Sequence, residues 1–259
     1  MSATSRSGIV SSFTLIKGTM IPETYAVFAA WDLDRSKRDN LDRLRGENPI
    51  GIRSAAWLRD IAKVLNRRFD PDGRDRALVI LARSGCPIDE WKPVLLWHIT
   101  RDEFLLRDFL VNWLYPRFEA GALRVRPAEL DEFLLHLRDR GGETEHEWSG
   151  ATRQRVASGL LRAAADFGLL RGSIVKEFAR YHLPDWSFLY LLHAMSEEHA
   201  SPARVIASPD WRMFLMAPGD VEQELLRLHQ FRKLHYEAAG TLLQLTLPYR
   251  TALEYAEAA

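Results

Sequence analysis

Residues 152–168 read TRQRVASGLLRAAADFG, and this stretch decides the fold reading. Thr152 is a natural helix N-cap and Gly168 a natural stop just past a helix end. Between them Val156, Leu160, Ala164 and Phe167 recur at helical spacing and form one apolar stripe. Arg153, Gln154, Arg155, Ser158 and Arg162 fall on the outer part. The expectation is a helix held by a core on one side, presenting guanidinium and small polar groups on the other. Groove recognition needs such an element. Base-reading side chains of helix-turn-helix units commonly sit near the N-terminal end, where free backbone N–H groups also favour phosphate. The bland alternative is a solvated amphipathic helix whose arginines meet only water. Arg171, Lys176 and Arg180 lie just downstream and extend the basic character.

Working outward, the same helical punctuation recurs. Toward the N-terminus, Pro22-Glu23 opens a short apolar segment to Trp31, and Asp34 is expected to cap a charged helix that ends at Gly46. Ser54 caps a run that puts Trp57, Leu58, Ile61, Ala62 and Leu65 on one face. Asp70-Pro71-Asp72-Gly73 reads as a turn; it lacks the glycine and distal glutamate of a calcium loop. Residues 74–84 and 87–99 read as two apolar helices. A broad stripe from Asp102 to Phe118, closed by Gly121, predicts a helix buried on most sides. Pro127 starts another helix through Leu137. The polar stretch 141–150 with Glu143, Glu145 and Glu147 is the best internal boundary, giving units 1–148 and 149–259.

Beyond the central helix, residues 169–178 suggest a short β element, Pro184-Asp185 opens an apolar helix, and Val221–His229 looks helical. Leu234-His235-Tyr236-Glu237 and the run from Thr241 to Leu247 alternate around Ala238-Ala239-Gly240, the strongest β-hairpin signal in the chain. A helix followed by such a hairpin resembles the end of a winged-helix unit.

Composition sets the bounds. The chain has 259 residues, 47% hydrophobic and 27% charged, enough for one large or two small domains. One cysteine, Cys86, forms no intramolecular disulfide and asks for no oxidising compartment. The residues from Met1 to Val10 carry no signal-peptide pattern, and no apolar run approaches the ~20 residues of a membrane span. A soluble, cytoplasmic protein is expected. Net charge is zero, but residues 1–69 hold 12 basic and 7 acidic side chains and residues 149–185 hold 6 and 3. Residues 70–148 and 186–259 are net acidic. The basic segments fit a local binding stripe, or else fold onto the acidic ones and are neutralised. The cluster Arg35, Lys37, Arg38, Arg43 and Arg45 is interleaved with Asp34, Asp39 and Asp42, which favours a self-paired exposed helix.

Chemistry is hard to find. No phosphate-binding loop, dinucleotide fingerprint or nucleophile elbow is present. Cys86 sits in a turn with no local base. No two histidines stand at the spacing that aligns two metal ligands; His193 and His199, like His229 and His235, are six apart. His98, in an apolar run, reads as a satisfied core histidine. No catalytic residue, metal or cofactor is expected.

Several stretches together resemble the A component of BREX (bacteriophage exclusion) phage-defence systems. They are Ser12-Phe13-Thr14 through Pro22-Glu23-Thr24, the run from Asp108 to Gly121 leading into Pro127–Phe133, and Thr152-Arg153-Gln154-Arg155 with Leu160-Leu161 and Phe167-Gly168-Leu169-Leu170. Pro209-Asp210-Trp211-Arg212-Met213-Phe214 completes the set. They are mostly hydrophobic patterns, and their shared order over nearly the whole chain carries the resemblance.

The resemblance implies a mostly α protein, a helical bundle similar to antitermination-type RNA-binding proteins, here with winged-helix-like units and the C-terminal β-hairpin. It also implies a non-enzymatic accessory that binds double-stranded DNA and works beside other BREX proteins. An inner-membrane label carried by relatives finds no spanning segment here. A basic residue three positions after Thr152 is implied as well, and Arg155 stands there. The candidate nucleic-acid contacts are therefore Arg153, Gln154, Arg155, Ser158, Arg162, Arg171 and Lys176. A protein scaffold and an RNA-binding protein are the alternatives.

Overall fold

The computed structural model describes residues 8–240 and 242–258; Met1–Ser7, Thr241 and Ala259, and the expectations placed on them, lie outside this range. The chain is mostly α-helical. Helices α1 (Ser12–Lys17), α2 (Ile21–Ala29), α3 (Lys37–Glu47), α4 (Ala55–Arg68), α5 (Arg76–Arg83) and α6 (Ile88–Asp102) come first. Ser54 caps α4 as expected, its side chain accepting from the Trp57 N–H. The cap of α3 is Ser36, not Asp34, and the helix runs through Gly46 to a left-handed Asn48. Of the basic cluster, Arg35 pairs with Asp32 and Arg38 and Arg45 pair with Asp42, as a self-paired surface would, whereas Lys37 donates to the Asn66 and Phe69 carbonyls and Arg43 to that of Ala30.

The long helix expected from Asp102 starts two residues later. The chain breaks at Glu103, then α7 (Phe104–Asp108), a π-helical turn over Phe109–Leu114, and α8 (Tyr115–Glu119) follow without interruption. Leu105, Leu106, Phe109, Leu110, Trp113 and Leu114 are all buried, so the wide apolar stripe is core. Next come β1 (Arg124–Val125), a 3-10 turn over Pro127–Leu130, α9 (Asp131–Leu135) and a second 3-10 turn over Arg138–Arg140. After them lie α10 (Gly150–Asp166), β2 (Leu170–Arg171) and β3 (Lys176–Phe178). The three short strands form one antiparallel sheet in the order β1-β3-β2, with Arg124 and Arg171 both opposite Glu177.

The remainder is α11 (Asp185–Glu198), α12 (Pro202–Ile206), a 3-10 turn over Pro209–Phe214, α13 (Pro218–Gln230), β4 (His235–Ala239), β5 (Leu242–Thr246) and α14 (Ala252–Glu257). Strands β4 and β5 pair antiparallel, and Gly240 takes the positive φ of 62° that the turn requires. This is the hairpin that the alternation predicted.

The division foreseen near residue 149 falls between α9 and α10, which pack against each other. The 141–149 loop is itself tied to the N-terminal segment: Val10 N–H donates to the Glu143 carbonyl, and Glu143 N–H to that of Gly8, both at 2.8 Å. Helix α1 lies along α10. One buried cluster runs from Phe28, Trp91 and Trp97 through Phe109 to Phe188 and Trp211. Within the described residues no helix is long and apolar enough to cross a membrane.

Candidate nucleic-acid interface

Helix α10 is capped by Ser149, whose Oγ accepts from the Thr152 N–H at 3.2 Å, so Thr152 is the third residue of the helix and not its cap. Its inner stripe is as expected: Val156, Leu160 and Ala164 are fully buried and Phe167 nearly so. At the other end Gly168, at φ 82°, reverses the chain into β2, with Leu169 N–H returning to the Ala164 carbonyl.

At 3.6 residues per turn, Gln154, Arg155, Ser158 and Arg162 share an arc of about 100°. That arc forms one wall of a groove of about 820 Å³. Ser173, Ile174 and Lys176, from the β2–β3 turn and the start of β3, line it too, as does Ile16 of α1. Arg155 is exposed and, among the described residues, makes no ion pair or hydrogen bond. The Arg162 guanidinium donates to the Ile16 carbonyl at 2.8 Å, and Lys176 Nζ to the Gly172 carbonyl at 2.6 Å. Both donate to carbonyl oxygens, and neither meets a carboxylate among the described residues. Ser158 Oγ donates back to the Gln154 carbonyl. Five of the seven expected residues thus meet in one place.

Two do not. Arg153 is only two positions before Arg155 in sequence but about 160° away around the helix. Its Nε and Nη2 donate to the two carboxylate oxygens of Asp131 at 2.7 and 3.3 Å, and Nη1 donates to the Trp148 carbonyl. The pairing holds the Asp131 carboxyl below its ordinary range. Arg153 is a brace between α9 and α10, and its charge is spent there. Arg171 shares the carboxylate of Glu177 with Arg124, at 3.6 and 2.9 Å. Side chains alternate along a strand, so this charge ladder lies on the sheet face opposite Lys176. The sequence reading missed Ile16, Ser173 and Ile174. The tight turn at Gly172 was the available signal for the last two.

Other candidate chemistry resolves into packing. His98 is buried between Asp75 (2.5 Å from Nδ1) and the Tyr190 hydroxyl (2.8 Å from Nε2), the satisfied core histidine expected. Burial pushes the Cys86 thiol up to about 12, far from a reactive thiolate. His229 and His235 approach after all, with ring centroids 5.2 Å apart, because the chain turns back between α13 and β4. Among the described residues no three His, Cys, Asp or Glu side chains converge as metal ligands.

No curated protein matches the chain. A family model described as BrxA matches residues 12–194, which spans α1, the groove and most of α11. That is well over half of the sequence, and it agrees with the ordered stretches that suggested this resemblance: the chain belongs to the BrxA family, the A component of BREX phage-defence systems.

Proposed function

We propose that this BREX component is a cytoplasmic, non-enzymatic protein that binds double-stranded DNA through the α10 groove. The observation that carries the reading is Arg155, without a partner among the described residues, beside Gln154, Ser158, Arg162 and Lys176 in one open groove along a core-anchored helix. Connectivity supports it. Helix α7–α8, β1, α9, α10, β2 and β3, with sheet order β1-β3-β2, follow the order of a winged-helix unit, with α10 as reading helix and the 172–175 turn as wing. In this arrangement α10 enters the major groove while Arg155, Arg162 and Lys176 meet phosphates.

The α11–β5 region repeats helices followed by a hairpin, but the exposed face of α13 carries Glu222, Gln223, Leu226 and Gln230, with no cation among them. With one carboxylate and no cation, that face offers a polyanion nothing to hold and fits a protein partner better, which keeps a docking role within BREX as the second reading for this region.

The test is a titration of duplex DNA, single-stranded DNA and RNA of equal length at two salt concentrations. Duplex affinity that falls steeply with salt, and exceeds that for RNA, supports the reading. Equal or tighter RNA binding moves the function to the antitermination-type alternative. No salt-dependent binding to any of the three overturns it.

A further inference from the structure

The wing carries a residue that phosphate binding does not explain. Ile174 is 82% exposed at the tip of the β2–β3 turn and lines the same groove as Arg155 and Lys176. Isoleucine in solvent forfeits the gain of burial and offers nothing to a phosphate oxygen. Its mount is rigid. Gly172 sits at φ 97°, and a Cβ there would stand 2.6 Å from the Val175 carbonyl oxygen, so the turn closes only with glycine. Lys176 Nζ donates across the turn to the Gly172 carbonyl at 2.6 Å. The side chain itself is β-branched and stiff. A stiff apolar side chain on a braced turn, with cations beside it to hold the backbone, is the equipment of a wedge that enters between base pairs.

We propose that Ile174 inserts at a base step in the minor groove next to the segment read by α10, partly unstacks it and bends the duplex. This rests on the duplex reading of the groove. Polar wing tips position a helix without distorting DNA; an apolar one takes up unstacked base surface, and the bend lets more of the protein meet the backbone.

The experiment uses the full chain and a duplex of about 30 base pairs labelled at both ends for energy transfer. The wild-type protein at saturation should shorten the end-to-end distance, corresponding to a bend of some tens of degrees. I174S should bind roughly ten-fold more weakly, with the salt slope unchanged, and leave the duplex straight. I174L, which keeps an apolar tip, should retain the bend. Binding by the wild type without a change in distance, or bending by I174S equal to the wild type, overturns the wedge and leaves the duplex reading standing. Failure of the wild type to bind duplex at all overturns both.

Discussion

A Cβ placed on Gly159 would stand 2.7 Å from the carbonyl oxygen of Leu15. The close approach of α1 to α10 depends on a glycine in the middle of α10, where glycine would otherwise be unfavourable. In an exposed helix Gly→Ala gains about 1 kcal/mol. Here the neighbour is backbone and has no rotamer to yield, so G159A should instead destabilise by about 1–3 kcal/mol. Urea unfolding at constant slope checks the sign. A stabilised G159A would mean that α1 is not held against α10.

The two arginines flanking Gln154 should behave oppositely on DNA. R155A removes a cation that has no partner among the described residues and should weaken binding to all duplex sequences, lowering the salt slope by about 0.9. K176A should do the same, with some added mobility of the turn it braces. R153A removes a charge already engaged by Asp131 and should leave both affinity and slope close to wild type. Fluorescence anisotropy across a salt series separates them. Equal losses for R153A and R155A would place the contact on the helix terminus as a whole and not on the groove.

What was legible in the sequence was local. Ser54 and Gly168 mark their helix ends because capping involves residues within a turn, and the 235–246 hairpin follows from alternation around Gly240. Rival caps near each other were harder: Ser36 and Ser149 outcompete Asp34 and Thr152, and local pattern does not rank them. What was hidden was long-range. Asp131 claims Arg153 from 22 positions away, and Glu103 interrupts an otherwise helical stripe because it is needed in the core. Helix periodicity gathered the α10 residues into one group, but only the partners decide which of its arginines is free.

His193 gives the fold a pH dependence of known sign. It is buried, donates from Nδ1 to the Leu189 carbonyl, stacks on Tyr255 of α14 with centroids 4.8 Å apart, and leaves Nε2 without a partner among the described residues. Burial lowers its pKa below the ordinary 6.5. The unfolded chain therefore takes up the proton first as pH falls. The stability from burying neutral imidazole is complete above about 6.5, and it declines as pH drops from there toward the depressed folded value. H193F keeps the stack and removes the titration, so the wild-type loss between pH 7.5 and 5.5 should exceed that of H193F. Parallel losses in urea midpoints would assign the acid sensitivity elsewhere.

Arg68 ties the core to the groove. It is 3% exposed, and its Nε donates to Glu103, itself 2% exposed, at 3.1 Å. Nη1 donates to the Thr19 carbonyl, and Nη2 to those of Thr14 and Gly18, which flank the Ile16 wall. The other cation near Glu103, Arg67, stands 3.9 Å off, so removing Arg68 leaves the buried carboxylate poorly compensated, and R68M should destabilise by about 3–5 kcal/mol. Replacing both, as in R68M/E103L, removes the stranded carboxylate and should recover most of that loss, since apolar substitutes for a buried pair are often nearly neutral. The double variant should nevertheless bind duplex more weakly than wild type, because the carbonyls that position α1 against Arg162 have lost their donors. Stability and affinity thus come apart in this variant. If R68M/E103L is no more stable than R68M, the carbonyl hydrogen bonds and not the carboxylate dominate the site, and Arg68 holds the wall of the groove together with Arg162.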